Sequence, residues 1–213
     1  MKTKHEAIKI IQILKEYYPD AKCSLDFKTP FEMAISVMLS AQCTDERVNK
    51  TTPYLFEIAN TPEKMLKLKL AEIEEIIKPC GFYKNKAKNV LACSKMLVEK
   101  FNGMVPNNME ELQKLPGIGR KSANVIMLEA YNNPQGIAVD THARRISNRI
   151  GFSKHEDPEK IEKDLLKVIP KEFYYDANHL FVWHGRNICN ARTPKCEMCP
   201  IKEYCNMLNK EKK

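Results

Sequence analysis

The sequence predicts an all-α protein. Apolar residues recur at helical spacing through almost every segment, and cap and stop residues punctuate those segments at helix-length intervals. No segment sustains the alternation of a half-buried strand. With 213 residues, 43% hydrophobic and 29% charged, the chain can bury a substantial core and has a globular composition. No internal repeat or low-complexity linker marks a boundary, so the residues alone read as one compact helical body.

Taken in order, Ile8, Ile11, Ile13, Leu14 and Tyr18 lie near one face of a first helix that Pro19-Asp20 ends. Lys9, Gln12, Lys15 and Glu16 interrupt its apolar run, so it does not read as a signal peptide. No stretch is long enough to span a membrane, and the expected location is the cytoplasm. Pro30 starts an apolar run, FEMAISVMLSAQ, that reads as a buried helix, and Thr44 or Asp45 caps the next one. Thr61-Pro62-Glu63 is a helix start with a cap, a first-position proline and an acidic first turn. A short helix over Ala71–Ile77 stops near Pro79-Cys80-Gly81, and a long one follows over Lys84–Lys100. Met109, Leu112 and Leu115 mark a short amphipathic helix. Beyond it, Asp140 or Thr141 caps a helix through Ile150 with Gly151 as its stop. Asp157-Pro158 opens the next helix, and the last long one covers Phe173–Ile188.

The organising stretch is Leu115 to His142. Pro116, Gly117 and Gly119 suit a tight turn with exposed backbone, and Ser122 to Ala130 then keep helical rhythm until Asn132-Asn133-Pro134. Several amides at such a hairpin can approach one phosphate, aided by the following helix dipole and by Arg120 and Lys121. A P-G-x-G turn alone also fits an ordinary helix–helix connection.

Charge is distributed to match. Of the net +8, residues 114–150 contribute six basic against two acidic side chains, and residues 182–213 seven against three; the remainder sums to zero. The surplus thus belongs to two segments, which suits phosphate contact. Cysteines divide similarly. Cys23, Cys43, Cys80 and Cys93 are scattered and read as reduced thiols. Cys189, Cys196, Cys199 and Cys205 crowd together as C-x6-C-x2-C-x5-C, a thiolate set for zinc or an iron–sulfur cluster.

LPGIGRKSANVI followed by AVDTH, together with the 6-2-5 cysteine spacing, resembles the endonuclease III family of helix–hairpin–helix DNA glycosylases. The likeness runs from Pro30 to the last cysteine. It implies two helical domains with the active-site cleft between them: a six-helix domain over residues 22–133 containing the hairpin, and an iron–sulfur domain built from residues 1–21 and 134–213. It implies a [4Fe–4S] cluster on Cys189, Cys196, Cys199 and Cys205, more structural than catalytic, in a loop that brings Arg192 and Lys195 to DNA phosphates. It also implies that Lys121 is the nucleophile and Asp140 its catalytic partner. Gln42 corresponds to the residue that plugs the gap left by an extruded nucleotide, and Phe82 to the wedge in the opposite strand. Gly117, Gly119, Arg120 and His142 complete the implied DNA contacts.

The chemistry suits these residue types. A lysine amine can displace a base at C1′ and persist as an imine, which acidifies the C2′ proton and allows β-elimination. An ordinary lysine is protonated at neutral pH, and freeing its electron pair costs roughly 4–5 kcal/mol. A helix N-terminus supplies only about 0.3–1 kcal/mol, so burial, Arg120 and proton transfer during base departure are expected to supply the rest. Asp140 stabilises charge developing at C1′ and accepts the lysine proton, while also capping its helix.

The implied activity is a bifunctional DNA glycosylase and abasic-site lyase, acting on oxidised pyrimidines such as thymine glycol in duplex DNA. The protein is expected as a monomer, associated with the nucleoid through DNA and with no membrane partner. Its DNA affinity should fall steeply with salt. An adenine-mismatch glycosylase is disfavoured by Lys121 and by Ser36, where those enzymes carry a catalytic glutamate. A thymine or uracil mismatch glycosylase of the same fold is the closer alternative; Cys43, where alanine is common in the family, is a departure near the pocket. A non-catalytic helix–hairpin–helix module would not need both Lys121 and Asp140.

Overall fold

The computed structural model describes residues 2–210; Met1 and residues 211–213, the outermost positions of the expected terminal domain, lie outside the described residues. Twelve α-helices and no strand are present among the described residues. The chain divides into two compact units. One is Ser24–Asn133, and the other joins residues up to Cys23 with those from Pro134 onward. The single body suggested by the uniform composition is therefore replaced by two. The chain's beginning and end share one core, and contacts of that sequence separation leave no mark on local composition.

In the unit Ser24–Asn133, the central element is α2 (Pro30–Ser40). Thr29 accepts a hydrogen bond from the Glu32 amide at 3.2 Å, and Pro30 occupies the first turn. Phe31 to Leu39 are all buried, as expected of a helix that is apolar on every side. It packs against α3 (Asp45–Ile58), against the long helix α6 (Tyr83–Phe101) and against α8 (Arg120–Glu129). Of the two candidate caps for α3, Thr44 does the capping. The short helices α4 (Pro62–Met65) and α5 (Leu70–Ile77) lie on α6, and α7 (Met109–Leu112) packs against α8. Thus α7, the turn after it and α8 form the predicted helix–hairpin–helix.

The second unit is built from α1 (Lys4–Tyr17), α9 (Thr141–Ile150), α10 (Pro158–Val168), α11 (Tyr174–Asn187) and the short α12 (Asn206–Lys210). Thr3 and Glu6 cap α1 reciprocally, a capping box. Ile10, Ile11, Leu14, Ile146, Phe152, Leu165 and Phe181 are sealed in one core, with the Phe152 and Phe181 rings 5.9 Å apart. Gly151 ends α9 at φ 100°, as its position predicts.

Candidate catalytic residues, nucleic-acid interface and cluster loop

The hairpin is built around one constrained glycine. Gly117 has φ +79°, and a Cβ there would lie 2.7 Å from Met38 Sδ and 3.0 Å from Asn89 Cβ. Both glycines suit a tight turn, but Gly119 has ordinary extended backbone (φ −91°, ψ 179°), and a Cβ placed on it would meet nothing within 4 Å. Its bareness instead leaves the amides that open α8 uncovered. Gly119 is the N-cap of α8, so Arg120 and Lys121 are its first two residues. Arg120 is half-buried. Lys121 is exposed, and among the described residues no hydrogen bond or ion pair ties down its ammonium. The burial expected to help free its electron pair is therefore not provided by its own unit.

Two further residues stand out by backbone. Gln42 and Phe82 adopt left-handed conformations, φ 54° and 48°, as do Asn102 and Asn132. Asparagine tolerates this region, whereas an L-residue without a short polar side chain pays for it. Both side chains are exposed, Phe82 by 65%. Each sits on a turn entering a helix: Gln42 lies between α2 and α3, and Phe82 is the N-cap of α6. Strain persisting at an exposed position needs a reason outside packing.

Asp140 is the N-cap of α9, its Oδ1 accepting from the Ala143 amide at 2.7 Å, and it stays half-buried. The extended segment leading into it is held by Asn178 of α11. Asn178 Oδ1 accepts from the Ala138 amide at 2.8 Å, and its Nδ2 donates to Gly136 O at 3.1 Å. Nothing in the local sequence marks Asn178 for this, because its partners lie some forty positions away. His142, one turn into α9, lies 3.1 Å from Arg145 Nη2 through Nδ1 and packs against Gly185. Burial pushes its pKa down and the Asp140 carboxylate pulls it back up, with a net lowering, so it is neutral at physiological pH.

The cysteine loop is clamped by arginines on α9. Arg149 donates to Asn190 O at 2.7 Å and Ala191 O at 2.8 Å and lies 3.4 Å from Cys189 Sγ, while Arg145 donates to Cys189 O at 2.8 Å. Arg192 and Lys195 are exposed on this loop. The Cys199 thiol is pushed up to about 11 by burial and by the other three thiols, and Cys196 rises for the same reasons. Four thiolates that oppose one another's charge need a cationic body among them. No three His, Cys, Asp or Glu side chains among the described residues are grouped for a single metal ion. Four cysteines brought to one loop are the residue type that holds an iron–sulfur cluster. Cys199 Sγ also lies 3.5 Å from His184 Nε2.

Residues 35–171 match the HhH-GPD superfamily of base excision DNA repair proteins, and residues 189–205 match the iron-sulfur binding domain of endonuclease III. The chain is 45% identical to endonuclease III of Synechocystis over 202 residues, covering 95% of this chain and 92% of the relative. Against endonuclease III of Escherichia coli it is 42% identical over 207 residues, covering 97% and 98%. A solved structure of a trapped endonuclease III–DNA covalent intermediate, an estranged-adenine complex, matches with TM-score 0.93 at 42% identity over 100% of both chains. A thermostable thymine-DNA glycosylase shares the fold, with TM-score 0.87 at 21% identity over 97% and 98%.

Proposed function

The chain belongs to the endonuclease III family of base excision repair proteins, and from that premise we propose how its own residues divide the reaction. It is a DNA glycosylase with abasic-site lyase activity, and its cofactor is a [4Fe–4S] cluster. Cys189, Cys196, Cys199 and Cys205 hold that cluster, which when bound supplies a rigid support for the loop carrying Arg192 and Lys195.

Lys121 is the nucleophile. Its amine attacks C1′ as the base departs, the C1′–N bond breaks, and the base leaves with the electron pair. The lysine nitrogen's electron pair then opens the C1′–O4′ bond, O4′ taking a proton, and the resulting imine draws electrons from C2′; loss of a C2′ proton then expels the 3′ phosphate. Exposure of Lys121 in the free protein means that duplex DNA itself must exclude water from the amine. Asp140 accepts the proton released by Lys121 and stabilises positive charge at C1′. Its bond to the Ala143 amide and the Asn178 bracket fix its direction. Neutral His142 adds no charge beside it. Gln42 enters the duplex to fill the gap, Phe82 wedges the opposite strand, and the amides after Gly117 and Gly119, with Arg120, hold phosphate.

The observation that carries this reading is the pairing of left-handed backbone with exposure at Gln42 and Phe82, on the same unit as an unpaired Lys121. The substrate class is oxidised pyrimidine in duplex DNA, and the protein works as a monomer on cytoplasmic, nucleoid-associated DNA. No helix among the described residues is long and apolar enough to cross a membrane. Ser36 is fully buried within α2, which further disfavours the adenine-mismatch alternative.

Borohydride trapping tests the assignment on duplexes carrying thymine glycol, an abasic site or a T·G mismatch. A covalent adduct on thymine glycol that disappears in Lys121→Gln, with DNA affinity retained, is expected. Adducts on T·G but not thymine glycol would move the protein to the mismatch branch, and unchanged strand cutting by the variant would refute the nucleophile.

A further inference from the structure

A tyrosine at the end of α1 reaches the cysteine loop through a buried histidine. Tyr18 directly follows α1 and is 8% exposed, and its hydroxyl lies 3.1 Å from His184 Nδ1 on α11. The two rings meet edge to face, their centroids 5.9 Å apart. His184 is 1% exposed, and its other ring nitrogen, Nε2, lies 3.5 Å from Cys199 Sγ. Its carbonyl accepts from the Ile188 amide at 3.0 Å and from the Cys189 amide at 2.8 Å. One residue thus touches the chain at two of the four clustered cysteines. Tyr18 and His184 stand 166 positions apart, and the excision chemistry uses neither.

We propose that Tyr18 and His184 form a hydrogen-bonded relay that stabilises the reduced state of the [4Fe–4S] cluster and so holds its reduction potential up. This rests on the reading that Cys199 is a cluster ligand. A cysteine bound to iron carries no proton on sulfur and can only accept. The contact at Nε2 is then a hydrogen bond only if the ring proton sits on Nε2. Nδ1 is left with its lone pair, and the Tyr18 hydroxyl supplies the donor that this lone pair needs. Both partners thus fix the same tautomer. His184 is the donor to the ligand sulfur; Tyr18 acts through it as a positioning residue.

The effect on potential follows from charge. Reduction adds one electron, taken from an external one-electron donor, to a body already surrounded by thiolates. No covalent bond is made or broken, and the ring proton stays on Nε2. The added negative charge strengthens an N–H bond to the ligand sulfur beyond its strength in the oxidised state, so the donor favours reduction. Hydrogen bonds to the sulfurs are among the determinants of such potentials. Tyr18 belongs to the buried core with Leu14, Ile188 and Ile201, so solvent does not compete for its hydroxyl bond and the interaction is not screened away.

Voltammetry of the cluster-loaded protein on a graphite electrode reads the midpoint potential, with iron and sulfide counted on the same preparations. Tyr18→Phe removes one oxygen and keeps the ring; it should retain the parental iron content and shift the midpoint to lower potential. His184→Leu removes the donor and should shift it further, by about a tenfold change in the reduction equilibrium, or about 59 mV for one electron. His184→Gln, whose amide N–H can stand near the Nε2 position, should restore most of that difference. A parental or raised midpoint in Tyr18→Phe, loss of its iron, or a His184→Gln midpoint no closer to the parent than that of His184→Leu would each overturn the proposal. Should His184→Leu fail to fold, Tyr18→Phe decides alone: a lowered midpoint supports the relay and an unmoved one refutes it. Cys199→Ala separates the relay from its premise. If that variant loses iron while Tyr18→Phe leaves the midpoint unmoved, the relay fails alone. If it keeps the parental cluster and midpoint, Cys199 is not a ligand and the relay falls with that reading.

Discussion

Replacing Phe82 by glycine should make the protein more stable and a poorer DNA binder at once. Phe82 sits at φ 48°, ψ 24°, a region that costs an L-residue roughly 1–2 kcal/mol. Its ring is 65% exposed, so removing it sacrifices little buried area. Glycine relieves the backbone cost but returns about 0.5–1 kcal/mol through the greater freedom of the unfolded chain. The net gain is about 0.5–1 kcal/mol, which at about 2–4 °C per kcal/mol for a chain of this size raises Tm by about 1–4 °C. Alanine at the same position keeps the backbone cost, so Phe82→Ala should not rise. Calorimetry of the cluster-loaded protein reads Tm, and anisotropy on an abasic-analogue duplex reads affinity, which should fall alike in both variants. Equal Tm in the two variants would show that the left-handed turn is not strained. Undiminished affinity in both would show that the strain does not serve DNA.

The hairpin glycines should separate in the same way. Gly117→Ala meets both a positive φ and a Cβ 2.7 Å from Met38 Sδ, and should cost about 2–4 kcal/mol in denaturant unfolding. Gly119→Ala has open space and ordinary backbone, so its stability should be unchanged while phosphate binding weakens; an equal stability loss in both would contradict the geometry. Asp164 provides the pH dependence. Burial pushes its carboxyl up, but hydrogen bonds from Lys167 Nζ at 2.9 Å and Ser153 Oγ at 2.8 Å hold it below the usual aspartate range. A folded pKa below the unfolded one means the stabilisation is present above the unfolded value and lost as pH falls through the folded one. Asp164→Asn should therefore lose about 1.5–3 kcal/mol at neutral pH and flatten the acid limb of an unfolding titration below about pH 4; an unchanged acid limb would assign that limb to other carboxylates.

Helix starts and stops were legible because each is decided within a few residues. Thr29-Pro30, Thr61-Pro62 and Asp157-Pro158 offer a side-chain acceptor and a preset φ, and each opens a helix in the structure. The cysteine spacing and the LPGIGRK and VDTH segments were legible for a related reason, since the chemistry they carry needs particular residue types at fixed separations. Lys86 was not legible. It occupies a position in α6 where a lysine normally faces water, and only the carbonyls of Leu39 and Cys80 explain its burial. Asn178 was missed likewise, since an asparagine in a helix carries no sign that it braces the backbone before Asp140.

By itself the sequence determined the all-α class, the element order, the family and the residue types available for attack, capping and cluster binding. These follow from periodicity, caps and spacing, which act over a turn or two of chain. Tertiary structure alone decided that Gly117 rather than Gly119 needs its freedom, and that Gln42 and Phe82 are held in left-handed backbone. Each of these depends on which distant segment lies alongside, and packing over such separations leaves no pattern in the residues nearby.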